Sequence, residues 1–266
     1  MFFGEGDSLF ILYIMTINNL KLILLLPICC LMATCCWAQE GWNIIFNQKS
    51  TLSNEIPASL QDKEKTLFQR SNIEIKALGL APDGGWVCAY ESTGIPYLSW
   101  DGAPRDLMTT LQQLKEENAN IQQIVFSPLS WSGKSSWVVI YNDTEVDWKN
   151  VPPDLISKIL EVHQTHQKIK SIALSINGGW VLVSENQVYH SLIPIPMQKK
   201  LEQLTLQKAD IHYVAFNADN GWVVLYDNNQ GAWERLPTDL VNNLERLSAQ
   251  KSNIRAVNFY TLRGRL

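Results

Sequence analysis

Cysteine is scarce where it would matter. Of five in the chain, Cys29, Cys30, Cys35 and Cys36 fall in the first 38 residues and only Cys88 lies beyond them. The body of the protein therefore has no pair for an intrachain disulfide and must draw its stability from an apolar core. Excess positive charge is missing as well: 22 Lys and Arg stand against 26 Asp and Glu, with a pI of about 5.6. Without a basic run there is no field to gather phosphates, which argues against nucleic acid as a partner. No glycine-rich phosphate loop, GxSxG elbow, HExxH pair or CxxC pair occurs, so no local motif commits the chain to a reaction, a metal or a cofactor. Sites assembled from distant segments leave no such trace, and the question of an enzyme stays open on this ground.

Long hydrophobic runs are also few. Leu22 to Met32 reads LILLLPICCLM, with Lys21 before it and the small and polar residues ATCCWAQ after it. A positive flank, about ten apolar residues and a small residue before a polar stretch read as a secretory signal, too short for a comfortable span. Residues 1–38 are thus expected to be removed after Ala38, with an alternative start at Met15. An uncleaved anchor, or a lipoprotein acylated at Cys35 or Cys36, are the other readings. Export to the periplasm or the medium follows, with no stable membrane span after cleavage.

What the chain does have is tryptophan and repetition. Trp42, Trp86, Trp137, Trp180 and Trp222 head the apolar strands WNIIF, WVCAY, WVVIY, WVLVS and WVVLY. Four follow glycine, in contexts such as APDGG, SINGG and NADNG that suit hairpin turns. A second strand follows, carrying Trp100, Trp148 or Trp233 in three copies, then a proline: Pro57, Pro104, Pro152, Pro194 or Pro237. Segments such as PPDLISKILEV place apolar residues three, seven and ten after that proline, which is helical spacing with Pro and Asp suited to the first turn. A third strand closes each copy, as in IKALGL, IQQIVF, IKSIAL, IHYVAF and IRAVNF. The unit is β-β-α-β, and five units fill residues 39–259, leaving 260–266 as a nonrepeating tail.

Such a unit cannot bury its strands alone, so copies must stack until capped or closed. Five units without a polar cap predict an α/β repeat closed as a five-fold propeller, with an open solenoid or a kelch-like β-propeller as alternatives. In element order the chain resembles the five-fold α/β propeller of the penteins, without a shared catalytic motif. Its repeats also resemble the GGWVVLY and W-x-x-x-P-x-D-L tandem repeats of bacterial exported proteins. The pentein resemblance implies a hydrolase or transferase with a site at the ring axis.

Repeats provide an internal control, because a residue that matches its equivalents serves the fold. Cys88 aligns with Ile44, Val139, Leu182 and Val224 and reads as buried and inert. His163 and His166 are three apart on one helix, but their columns elsewhere hold Lys, Thr, Ser and Asn, and no third ligand can be named. His212 aligns with Lys76, Gln122, Lys170 and Arg255 and reads as an exposed strand position. His190 stands where other copies have Trp. Asp83, Asn177 and Asp219 stand before the turn glycines, where a closed ring would gather them on one face as ligand contacts; the competing and stronger reading is ordinary turn chemistry. Trp131 lies in SPLSWSGKSS, the one enlarged turn, without a counterpart in any copy. With Lys134 beside it, it is the sharpest pointer to a ligand. The expected role is a non-catalytic binding or interaction module that presents loops to a glycan, peptide or protein.

Overall fold

A computed structural model describes residues 39–47, 50–68, 72–128 and 136–262. The leader 1–38, Trp131, Lys134, Arg263 and Arg265 lie outside the described residues.

Among the described residues, five helices separate six groups of strands. Strands β1 (Gln39–Phe46) and β2 (Ser50–Asn54) precede helix α1 (Ala58–Phe68), and β3 (Ile73–Leu80), β4 (Trp86–Ser92) and β5 (Ile95–Asp101) precede α2 (Arg105–Glu116). Next come β6 (Ile121–Phe126), β7 (Trp137–Tyr141), β8 (Glu145–Lys149) and α3 (Pro153–Gln164), then β9 (Ile169–Leu174), β10 (Trp180–Ser184), β11 (Val188–Ser191) and α4 (Ile195–Leu206). The chain ends with β12 (Ile211–Phe216), β13 (Trp222–Tyr226), β14 (Gln230–Glu234), α5 (Thr238–Ala249) and β15 (Ile254–Leu262).

The strands form five three-stranded antiparallel sheets, ordered β3-β4-β5, β6-β7-β8, β9-β10-β11, β12-β13-β14 and β15-β1-β2. Each sheet has an inner, a middle and an outer strand. The inner strand is the third strand of the preceding sequence unit, so every sheet is assembled across a repeat boundary. In the fifth sheet the last strand of the chain pairs with the first, from Gln39↔Leu262 to Phe46↔Ile254. β15 thereby runs three residues past Phe259, and Tyr260, at the start of the expected tail, is buried. Inner strands also touch one another: β3 lies against β6, β6 against β9, β9 against β12, β12 against β15, and β15 against β3.

Burial follows the sequence pattern. The middle strands are apolar on both faces because a helix lies on either side, and Val87, Val138, Val181 and Val223 are wholly enclosed. The helical positions three, seven and ten after proline are buried in α2 to α5, as in Leu107, Leu111 and Leu114. Each helix fills the gap between its own sheet and the next. The cluster around Leu155, Ile159 and Val162 joins Val138 and Ile140 to Ile172 and Leu182, and that around Leu240, Leu244 and Leu247 joins Val223 to Trp42 and Ile44.

The Gly-Trp and Pro-x-Asp motifs do more than form turns and cap helices. Residues two before the proline, including Leu192 and Arg235, adopt positive φ, which pushes their carbonyls against the glycine before the tryptophan. A Cβ at Gly179 or Gly221 would collide with the carbonyl oxygen of Leu192 or Arg235. Where the third module has Ser136 instead, its hydroxyl donates to the carbonyl of Asn150 at 2.8 Å. The helix-entry aspartates accept the amide of the next residue, Leu155 N–H on Asp154 at 3.1 Å. Two of them also reach across to the next tryptophan: Trp180 Nε1 donates to Asp154 at 2.9 Å and Trp42 Nε1 to Asp239 at 3.0 Å, whereas Trp137 Nε1, next after Asp106, is buried without a partner.

One aromatic expectation fails. Trp148 and Trp233 pack into their clusters, but Trp100, in the same register opposite Val87, is 49% exposed. Leu98 joins the neighbouring cluster in its stead.

Candidate functional site

The inner strands share a device that a plain period-2 reading overlooks. Each carries a β-bulge, so that one extra residue has no partner on the middle strand: Lys76, Gln122, Lys170, His212 and Arg255. A bulge twists the strand and re-aims the extra side chain. All five bulged residues line a single cavity between the inner strands. His212 and its column are therefore half-buried cavity residues and not the exposed strand positions that the repeat comparison suggested.

Carboxylates hold these cations from behind. Lys76 Nζ lies 2.8 Å from Glu74 and 3.1 Å from Glu91, Lys170 Nζ 2.5 Å from Asp210, and Arg255 Nη1 3.5 Å from Glu74. Burial pulls the Lys76 ammonium down, but hydrogen bonds to Glu74 and Glu91 outweigh it and leave its pKa above the ordinary lysine value. The hydrogen bond from Lys170 holds the Asp210 carboxyl below the usual range. Arg255 Nη1 also donates to the Ile75 carbonyl at 3.0 Å, tying β15 to β3. None of the three carboxylates lines the cavity, whereas Lys76, Lys170, His212 and Arg255 do.

Gln123, Ile124, Tyr213 and Asn258 line this cavity and a second one. The second is lined in part by large apolar side chains, Leu80, Phe126, Leu174 and Phe216 at the ends of their inner strands and Phe259 within β15. The polar residues between the cavities cross-link neighbouring strands. Gln123 Oε1 accepts Ile172 N–H at 2.9 Å, Ser171 Oγ accepts Val214 N–H at 3.1 Å, and Tyr213 O–H donates to the Val257 carbonyl at 3.0 Å. Burial pushes the Tyr213 phenol pKa up, which keeps it a donor. Asn258 Oδ1 lies 3.5 Å from the Tyr213 hydroxyl, but its buried Nδ2 has no partner.

The residues singled out from sequence sit elsewhere. Asp83, Asn177 and Asp219 are exposed turn residues, and none lines either cavity. Asp83 Oδ1 accepts Gly85 N–H at 3.3 Å, and Asp219 N–H donates to Asn217 Oδ1 at 3.0 Å. Cys88 is 3% exposed, and burial, reinforced by the Glu64 charge, pushes its thiol up to about 12, leaving no thiolate to attack with. His163 pairs with Glu145 at 3.2 Å, while His166 lies past the end of α3 with a φ of 53°. The two imidazoles share no helical face. Among the described residues no three His, Cys, Asp or Glu stand close enough to hold a metal ion, and no helix is long and apolar enough to cross a membrane.

Two repeat-breaking acids also escaped the sequence reading. Glu40, at the start of β1, accepts Asn217 Nδ2 at 3.1 Å and Ala218 N–H at 3.3 Å, and burial raises its carboxyl to about 7. Glu64 lies inside the core, 8% exposed. Comparing columns would have exposed both, since Glu64 stands where the other helices have Leu111, Ile159, Leu201 and Leu244. No protein-family model, curated protein or solved structure matches the chain.

Proposed function

We propose that this is an exported, non-catalytic binding module whose five units close into an α/β propeller and take a glycan, peptide or protein ligand at the ring axis. Closure draws its support from the β1–β15 pairing, the cyclic order of inner-strand neighbours and the α5 cluster that packs the β13 sheet on β1. A helix between every pair of sheets disfavours a kelch-like arrangement, whose blades leave no place for one. The observation that carries the binding role is the pair of cavities lined by inner strands from all five sheets. Preformed concavities with a few convergent polar groups are where ligands bind. The bulges hold those groups on strands, which gives them a rigid mount.

The test uses the chain expressed from Met15, whose exported product should begin at Gln39 by N-terminal sequencing, applied to glycan and peptide arrays. Binding that is retained by Asp83→Ala but lost when Phe216→Trp crowds the apolar mouth is the expected result. Binding indifferent to that crowding places the ligand on the loops, and turnover of a bound compound replaces the module by the pentein-like hydrolase.

A further inference from the structure

We infer that the bulge-lined cavity is a seat for the oxyanion group of a small ligand, a carboxylate or a phosphate; this rests on the binding-module reading and specifies its ligand. Three observations converge. Lys76, Lys170 and Arg255 line the cavity together with His212 and Gln122, and no Asp or Glu does. Their counter-ions Glu74, Glu91 and Asp210 are within salt-bridge distance but are not among the lining residues. The third observation is independent of charge. Asn258 is 9% exposed, lines the cavity, and its Nδ2 donor has no acceptor. Buried amide donors are rarely left unpaired without a functional reason, and an oxyanion seated among the cations supplies the acceptor. Charge-assisted hydrogen bonds from lysine and guanidinium are the stronger kind.

The column pattern bears on the same point. Asn258 stands where the other inner strands have Gly79, Val125, Ala173 and Ala215, so the fold does not need an amide there. The bulge column likewise tolerates Gln122 in one module. The cationic and amide groups are therefore additions to a scaffold that closes without them.

These columns also provide substitutions that the fold already accepts. Lys170→Gln, Arg255→Gln and Asn258→Ala each install a residue present at the equivalent position of another module. Calorimetric titration of the full protein with glucuronate, citrate and inorganic phosphate, and with glucose as a neutral control, is the experiment. The expected result is binding of at least one anion, no binding of glucose, and weakening of about tenfold or more in each variant, with the melting temperature unchanged in Lys170→Gln and Asn258→Ala. The carboxylate and phosphate arms decide between the two sources of the oxyanion. Equal binding of glucose and glucuronate, or anion binding untouched by all three substitutions, overturns the oxyanion seat but leaves an axial binding module standing. Absence of binding to all three anions also overturns it, while array ligands captured at the apolar mouth would still uphold the broader reading.

Discussion

At the residue scale the first module departs from the other four in one buried place. Where these have a valine on the middle strand, Trp or His on the outer strand and an aliphatic residue on the helix, the first has Asn43, Ser53 and Glu64. Asn43 Nδ2 donates to Glu64 at 2.7 Å and Ser53 Oγ lies 3.4 Å from it, while Asn43 Oδ1 is buried without a partner. Burial raises the Glu64 carboxyl above its ordinary value, and three side-chain hydrogen bonds only partly oppose it. A folded-state pKa above the unfolded one means that this group stabilises below its unfolded pKa and that the contribution is lost as pH rises through the folded value. Once Glu64 ionises, its burial beside Asn43 is thus a burden. Replacing buried polar pairs by aliphatics stabilises proteins by about 1–4 kcal/mol, whereas removing one partner leaves the other unsatisfied. Asn43→Val with Glu64→Leu should raise the melting temperature at pH 8 and flatten its pH dependence between pH 4.5 and 8. Glu64→Leu alone should gain less, because it strands the Asn43 amide. A double variant less stable than the parent would mean that the polar group is matched to a local shape that the aliphatics cannot fill.

At the element scale, what recurs is a link from the entry of one helix to the middle strand of the next sheet. Asp154 and Asp239 each bond a tryptophan indole, and Ser59 does the same for Trp86 at 2.9 Å. The equivalent position before Trp222 is Pro196, which offers no acceptor, and the Trp222 Nε1 is buried and unpaired. Pro196→Asp should therefore supply both an indole acceptor and a helix-entry carboxylate, and raise stability by about 1 kcal/mol in urea unfolding. Asp154→Ala should cost about 1–3 kcal/mol by stranding the Trp180 indole. No gain from Pro196→Asp would mean that proline's preset φ is worth as much as the bond. Strands, helices and their order were legible in the chain because Trp-headed runs and the three-seven-ten spacing each bury one continuous face. The bulges were legible in principle: Ile75 and Leu78, or Ile121 and Ile124, are apolar three apart, which an unbroken strand would place on opposite faces. The cation seat was not, because its cavity depends on five strands scattered over some 180 residues meeting side by side. The partners that fix its charges, such as Glu91 for Lys76, come from separate strands. Trp131 was read as a site because it breaks the repeat in one turn, yet the breaks at Asn258 and Glu64 are better hidden, each a single substitution in an otherwise regular column.

On the scale of the whole molecule, the fifth sheet is the informative one. In the sheets β3-β4-β5, β9-β10-β11 and β12-β13-β14 a short turn joins inner and middle strands, whereas β15 and β1 form the same antiparallel pair with the turn missing, Gln39 opposite Leu262. The ends of the described chain thus stand where a hairpin turn would be, and the proposed closure has two consequences. Joining Leu262 to Gln39 through Asn-Gly, a sequence suited to a two-residue hairpin, and opening the chain at the exposed Thr93–Gly94 turn between β4 and β5 should give a permutant that folds, since new ends are tolerated at exposed turns. Its far-ultraviolet spectrum should match the parent, and its melting temperature should lie within a few degrees. Removing 254–266, in contrast, takes away the inner strand that covers β1 and contacts both β12 and β3. Loss of a closing strand opens two neighbours together, so the truncated protein should unfold as a whole or fail to fold. A stack of independent units would lose only its terminal sheet and keep a cooperative transition for the rest. Hydrogen exchange read strand by strand separates these outcomes: protection retained in β6 to β11 of the truncated protein, with loss confined to β1 and β2, would rule out closure.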